Sequence, residues 1–106
     1  MLKTIAAVVM EGSAAFELGV VCEVFGIDRV DDGVPPFDFR VCGEEPGKPL
    51  RSTGFQIVPT HGLDAIEGAD LLAVPAVVGP PSYYPPAIID AIRGAAARGT
   101  TLLSVC

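Results

Sequence analysis

The sequence predicts an α/β fold, a doubly wound and mainly parallel sheet flanked by helices, and three observations carry that expectation. The stretch Thr4 to Met10, TIAAVVM, is a continuous apolar run, as expected of a strand buried on both faces. Further strand-like runs follow as FDFRVC, DLLAVP and TTLLSV. Between them lie two stretches whose apolar residues recur at helical spacing. The resulting order is strand, helix, strand, arm, strand, helix, strand, which calls for right-handed crossovers and helices on both sides of one sheet.

The first run is the expected central strand. Glu11, Gly12 and Ser13 break it, and from Ala15 to Gly26 the residues Leu18, Val21, Cys22 and Phe25 form one helical stripe. Gly26 and the acidic DRVDDG stretch end that helix, and Pro35 and Pro36 bar its continuation. Phe37 to Cys42 alternates apolar and polar residues, the period of a strand nearer an edge. Leu50 and Phe55 to Val58, parted by Ser52, Thr53 and Gly54, read as a small hairpin or arm.

Asp70 to Pro75 is a short apolar strand leading into the rigid loop AVVGPPSYYPP, the kind of segment on which function often sits. Tyr83 and Tyr84 in that loop either line a pocket or occupy an exposed tip. Pro86 suits a first helical turn, and Ile88, Ile89, Ile92, Ala95 and Ala96 make an apolar face ending at Gly99. Thr100 to Val105 is the last strand, with Cys106 at its carboxyl end. An apolar strand with nothing after it leaves a sheet face uncovered, so the natural polypeptide is expected to continue past Cys106.

The bulk numbers narrow the function. At 106 residues the chain holds one domain at most, spanning 1–106. Half of it is hydrophobic and its mean hydropathy is +0.50, too apolar for a disordered segment. Seven Lys and Arg against thirteen Asp and Glu give a net charge of −6, with the basic residues scattered. Such a surface repels phosphate, so any contact with DNA belongs to residues outside this sequence. The odd count of three cysteines, the absence of CxxC and the lack of a signal-peptide core favour a reducing, cytoplasmic setting. No apolar run approaches the ~20 residues of a membrane-spanning helix, so no membrane association is expected.

Two residues are candidates for chemistry, because ligands of parallel α/β sheets gather at the carboxyl ends of the strands. Cys106 stands where a strand-to-helix turn would come, and the unpaired N–H groups of a following helix would stabilise its thiolate. From spacing alone, a buried structural cysteine outweighs that reading. Glu17 opens the first helix beside the end of the first strand, and adjacent strand ends would bring it towards Cys106, where a carboxyl group could donate a hydrogen bond to the thiolate. Taken alone, Glu17 fits better as a helix-start acid interacting with the dipole. His61, in the turn PTHGLD, reads as a turn residue, and Cys22 and Cys42 as packing residues. No metal-ligand spacing and no GxGxxG or P-loop glycine pattern is present, so neither a metal nor a nucleotide cofactor is expected.

The segments EGSAAFELGVVCEVFGID, DFRVCGEEPG, STGFQIVPTHGLDAI and PPAIIDAIRGAAARGTTLLSVC together resemble the amino-terminal domain of AraC-type transcriptional regulators. That domain has the ThiJ/PfpI, class I glutamine amidotransferase-like fold, which is flavodoxin-like, and the resemblance covers nearly the whole chain as its incomplete amino-terminal part. FELGVVCEVFG and the ending SVC are its most specific parts. The resemblance implies that Glu17 matches the family's acid on the first helix and Cys106 its nucleophile-elbow cysteine. In the enzymes of the superfamily a histidine, where used, follows the elbow, and His61 does not match it. The ending AVPAVVG departs from the family's VPG type and puts in doubt a backbone oxyanion site there.

The function implied is a sensing and dimerisation domain that binds a small-molecule effector as a homodimer, with DNA read by a downstream helix-turn-helix region. An enzyme is the alternative, isonitrile hydratase-like, amidase-like or glyoxalase-like, with Cys106 as nucleophile or base partner and Glu17 as proton donor. A purely structural dimerisation domain is the third reading.

Overall fold

The computed structural model describes residues 1–80 and 84–106. Strands β1 (Thr4–Val8), β2 (Asp38–Cys42), β5 (Leu71–Pro75) and β6 (Thr101–Val105) form one parallel sheet in the order β2-β1-β5-β6. Helix α1 (Ala15–Val21) connects β1 towards β2, and α2 (Pro86–Ala97) connects β5 to β6. Two-residue strands β3 (Leu50–Arg51) and β4 (Gln56–Ile57) pair antiparallel as the expected arm. Short 3-10 turns occupy Val30–Asp32 and Leu63–Ile66. Among the described residues no helix is long and apolar enough to cross a membrane.

β1 shows why a strand can be apolar throughout. Successive side chains of a strand point to opposite faces, so Ala6, Val8 and Met10 enter one core with Cys42, Ile66, Leu72, Ile88 and Ala95. Ile5, Ala7 and Val9 enter the other, against Leu18 and Val21 of α1 and against Leu71 and Ala73. Each face is covered by different helices, which is the doubly wound arrangement. The ladder stops at Val8, two residues before the expected end. Val9 still donates its N–H to the Cys42 carbonyl at 2.8 Å, but the Met10 N–H turns away to the Ser13 hydroxyl.

The alternation of β2 places Phe37, Phe39 and Val41 against the α1 side of the sheet, where Phe37 meets Phe25 edge to face at 5.3 Å. α1 is regular only to Val21 and widens into a π-turn over Cys22–Gly26. Its end rests on Phe39 so closely that a Cβ at Gly26 would lie 3.0 Å from the ring. At the amino end of the sheet, the Asp70 carboxylate accepts the N–H groups of Lys3 and Thr4, each at 2.9 Å, and ties the start of β5 to that of β1. Among the described residues β6 pairs with β5 alone, and its Leu102 is 45% exposed.

Candidate functional site

The carboxyl rim of the sheet is built by a turn of six residues after β1. Gly12 adopts φ +85, a backbone region that side chains disfavour, and a Cβ there would sit 2.7 Å from the Val78 carbonyl oxygen. Its carbonyl accepts the Val78 N–H at 2.8 Å, and its N–H donates to the Arg51 carbonyl at 2.9 Å. The next residue, Ser13, is buried. Its hydroxyl accepts the Met10 N–H at 2.9 Å, and its carbonyl accepts the Ser52 hydroxyl at 2.7 Å. The turn is thus held from one side by the arm and from the other by the loop after β5.

One peptide position then relates the two candidate residues. The Ala14 N–H donates to the Ala76 carbonyl at 2.8 Å, and the Ala76 N–H donates to the Val105 carbonyl at 2.8 Å. Ala14 opens α1, and its carbonyl accepts the Leu18 N–H at 3.1 Å, so Glu17 lies in the first turn counted from this anchor. Cys106 directly follows Val105. Both residues therefore stand at the same rim, on either side of the end of β5. They do not extend from adjacent strands, as the sequence suggested, because β5 lies between β1 and β6. Glu17 is half-buried and Cys106 is exposed.

The loop after β5 also bears on catalysis. The N–H groups of Ala76 and Val78 are both engaged, with Val105 and Gly12. Neither of these two donors is free to stabilise a developing oxyanion.

The other titratable groups have structural surroundings. Cys42 is fully buried, with its sulfur 3.6 Å from the Ala7 carbonyl, and burial together with the nearby Asp64 charge pushes its thiol up to about 12. Burial also raises the Cys22 thiol, with Glu23 adding to the effect. His61 is exposed and continues the outer edge of β2 through its backbone, donating to Val41 at 3.2 Å and accepting from Gly43 at 3.0 Å. That edge is opposite β6, so His61 is no partner for Cys106. Tyr84 packs against the α2-side core, and Tyr83 falls outside the described residues.

A cavity of about 180 Å³ opens at the same rim on the β1 and β2 side. Val9, Met10, Leu50 and Pro85 give it apolar walls, and Glu11 and Glu44 give it charge. Glu11 is engaged by Arg51, whose guanidinium Nε and backbone N–H both donate to its carboxylate at 3.0 and 3.2 Å. These bonds hold the carboxyl group below its ordinary range. Neither Glu17 nor Cys106 lines this cavity. Among the described residues, no cluster of His, Cys, Asp and Glu is arranged to hold a metal ion.

Gly12, Ser13, Ser52 and Ala76 organise the rim, yet sequence reasoning did not single them out as site residues. The only signal was the Gly-Ser pair that interrupts the apolar run, which marks a turn without revealing what the turn binds.

No family model and no curated protein matches the chain. Solved structures do. A ThiJ/PfpI family protein from Pseudomonas syringae superposes on 100% of this chain and 43% of its own, at a TM-score of 0.80 and 19% identity. Drosophila melanogaster DJ-1beta matches 100% of this chain and 56% of its own, at a TM-score of 0.76 and 18% identity. An AraC family transcriptional regulator from Pseudomonas putida matches 96% of this chain and 63% of its own, at a TM-score of 0.75 and 19% identity. Identities this low establish the fold, that of the DJ-1/ThiJ/PfpI proteins. The chain spans about half the length of the structures it matches.

Proposed function

We propose that these 106 residues form the amino-terminal part of the sensing and dimerisation domain of an AraC-type transcriptional regulator. On this reading Glu17 and Cys106 flank a small-molecule effector site, and DNA is read by a region outside the chain. The observation that carries the reading is the state of the loop after β5. It places the start of α1 and the end of β6 at one rim while its Ala76 and Val78 N–H groups are already spent on backbone partners. That arrangement sets the two candidate residues around one strand end, where ligands of parallel α/β sheets gather. The net charge of −6 supports placing DNA recognition elsewhere, and a regulator of the same fold supports the class. Three free thiols fit a reducing, cytoplasmic compartment.

α1 turns Phe16, 77% exposed, and Val20 to the outside, and Val24 of the following π-turn is exposed as well. An apolar helix face of this kind fits a second copy of the domain. The effector would act by binding one arrangement of the dimer more tightly than the other.

The test uses the complete gene product, alkylated at Cys106 or carrying Cys106→Ser, in a DNA retardation assay and in a turnover assay with methylglyoxal. The proposal expects no turnover, and a change in DNA affinity of about fivefold or more on alkylation, the usual range of allosteric coupling. Turnover that Cys106→Ser abolishes, with DNA affinity unmoved, would establish the enzyme instead.

A further inference from the structure

Two side chains of the arm, Arg51 and Ser52, grip the turn after β1, and they differ in what they hold. The Arg51–Glu11 ion pair spans 3.0 Å, but its side chains are 81% and 51% exposed, so solvent and salt screen it. Ser52 is half-buried, and its hydroxyl donates at 2.7 Å to the carbonyl oxygen of Ser13, a residue only 1% exposed. Among the described residues this is the one hydrogen bond that the Ser13 carbonyl accepts. A buried carbonyl without a donor is costly, so the hydroxyl governs how this peptide is oriented.

The Ser13 carbonyl and the Ala14 N–H belong to one planar peptide group. Its oxygen accepts from Ser52, and its N–H donates to the Ala76 carbonyl at 2.8 Å. The Ala76 N–H donates in turn to the Val105 carbonyl at 2.8 Å, and that carbonyl shares its peptide group with the Cys106 nitrogen. A line of bonds therefore runs from a side chain of the arm, across the residue that opens α1, to the backbone that carries Cys106. Bonds in such a line polarise one another, so a donor at one end strengthens the next. Rotation of the Ser13–Ala14 peptide would break the Ala14–Ala76 bond and free the start of α1, with Glu17 in its first turn, from the loop after β5.

We propose, resting on the reading that Glu17 and Cys106 flank one effector site, that Ser52 is a positioning residue of that site and that the arm regulates the site through it. With the hydroxyl in place, the Ser13–Ala14 peptide fixes the spacing of Glu17 and Cys106 across the end of β5. A movement of the arm that withdraws the hydroxyl loosens that spacing, although the arm itself is linked to the rim only through backbone groups and the screened ion pair.

The test uses the complete gene product carrying Cys22→Ser and Glu17→Cys, treated with a short, rigid bismaleimide. Intact mass and peptide mapping read the fraction of Cys106 joined to position 17 within one chain. Ser52→Ala is expected to lower that fraction about threefold or more, because linkage within a chain follows the effective concentration of the second thiol. Ser52→Thr keeps the hydroxyl and should restore it. Asp70→Asn, which disturbs two hydrogen bonds at the amino end of the sheet, lowers stability without touching the rim and should leave the fraction unchanged. Linkage in the parent that persists undiminished in Ser52→Ala would overturn the positioning role alone. Equal losses from Ser52→Ala and Asp70→Asn, or no rescue by threonine, would reduce Ser52 to a contribution to general stability and overturn it too. Absence of linkage in the parent would instead overturn the shared site, and the role of Ser52 with it.

Discussion

Replacing Gly12 by alanine is the sharpest probe of how the rim is assembled, because Gly54 provides an internal reference. The two glycines share a left-handed backbone, φ +85 and φ +84, but Gly54 has nothing within 4 Å of an added Cβ. At Gly54 the substitution meets only the backbone strain of a non-glycine residue, roughly 1–2 kcal/mol. It is offset by the reduced freedom of the unfolded chain, about 0.4–1 kcal/mol. Both effects are the same at Gly12, where the new methyl would also lie 2.7 Å from the Val78 carbonyl oxygen. Relieving that overlap means moving the loop after β5 and stretching the 2.8 Å bond from the Val78 N–H to the Gly12 carbonyl. The bond alone contributes about 0.5–1.5 kcal/mol, and overpacking of this kind costs about 1–3 kcal/mol. Gly12→Ala should therefore destabilise by about 2 kcal/mol more than Gly54→Ala. The measurement is urea unfolding by far-ultraviolet circular dichroism, since the chain has no tryptophan. Two variants equal within about 0.5 kcal/mol would refute the view that Gly12 is pinned against the Val77–Val78 loop.

The Cys42 thiol, pushed up to about 12, should carry about a thousandfold less thiolate at pH 8 than a cysteine at the ordinary value of 9.0. It should be alkylated by iodoacetamide only when the chain is unfolded, so peptide mapping that finds native Cys42 modified within tenfold of a free cysteine's rate would contradict the buried placement. Asp70 is held below its ordinary range, first by the Thr4 N–H and then by the Lys3 N–H. Its folded value is lower than its unfolded one, so the stability it contributes is present above about pH 4 and is lost as pH falls through the folded value. The difference in urea midpoint between the parent chain and Asp70→Asn should accordingly shrink from pH 7 to pH 3, and a gap independent of pH would count against the two backbone bonds.

Much of the fold was legible because each element's pattern states how many of its faces are buried. β1 is apolar at successive positions since Ile5 and Ala6 enter different cores, whereas β2 alternates since it lies at the edge. Pro86 and the Ile88 stripe marked α2 in the same way, and Ile88 is fully buried. Features made by contacts distant in sequence were not legible. That β5 inserts between β1 and β6 is a matter of strand order, which no local period encodes. The Gly12–Ser13 turn depends on Arg51, Ser52, Ala76 and Val78, all tens of residues away, so the sequence announces a break and conceals its partners. α1 ends as a π-turn where a regular helix to Gly26 was expected, because Gly26 must seat against Phe39 on another element.

The convergence of Glu17 and Cys106 at one rim is the premise of the effector site, and intramolecular cross-linking measures it directly. Strands pack ~4.8 Å apart, so the ends of β1 and β6 are separated by roughly 10 Å, with β5 between them. In a Cys22→Ser background, Glu17→Cys and Cys106 should be joined within one chain by a short bismaleimide, as read by intact mass and peptide mapping. Glu67→Cys, which precedes the amino end of β5, is the control, since the five residues of that strand place it roughly 16 Å further along the sheet. The account predicts linkage from position 17 and none from position 67, and the opposite result, or no linkage from either, would contradict it.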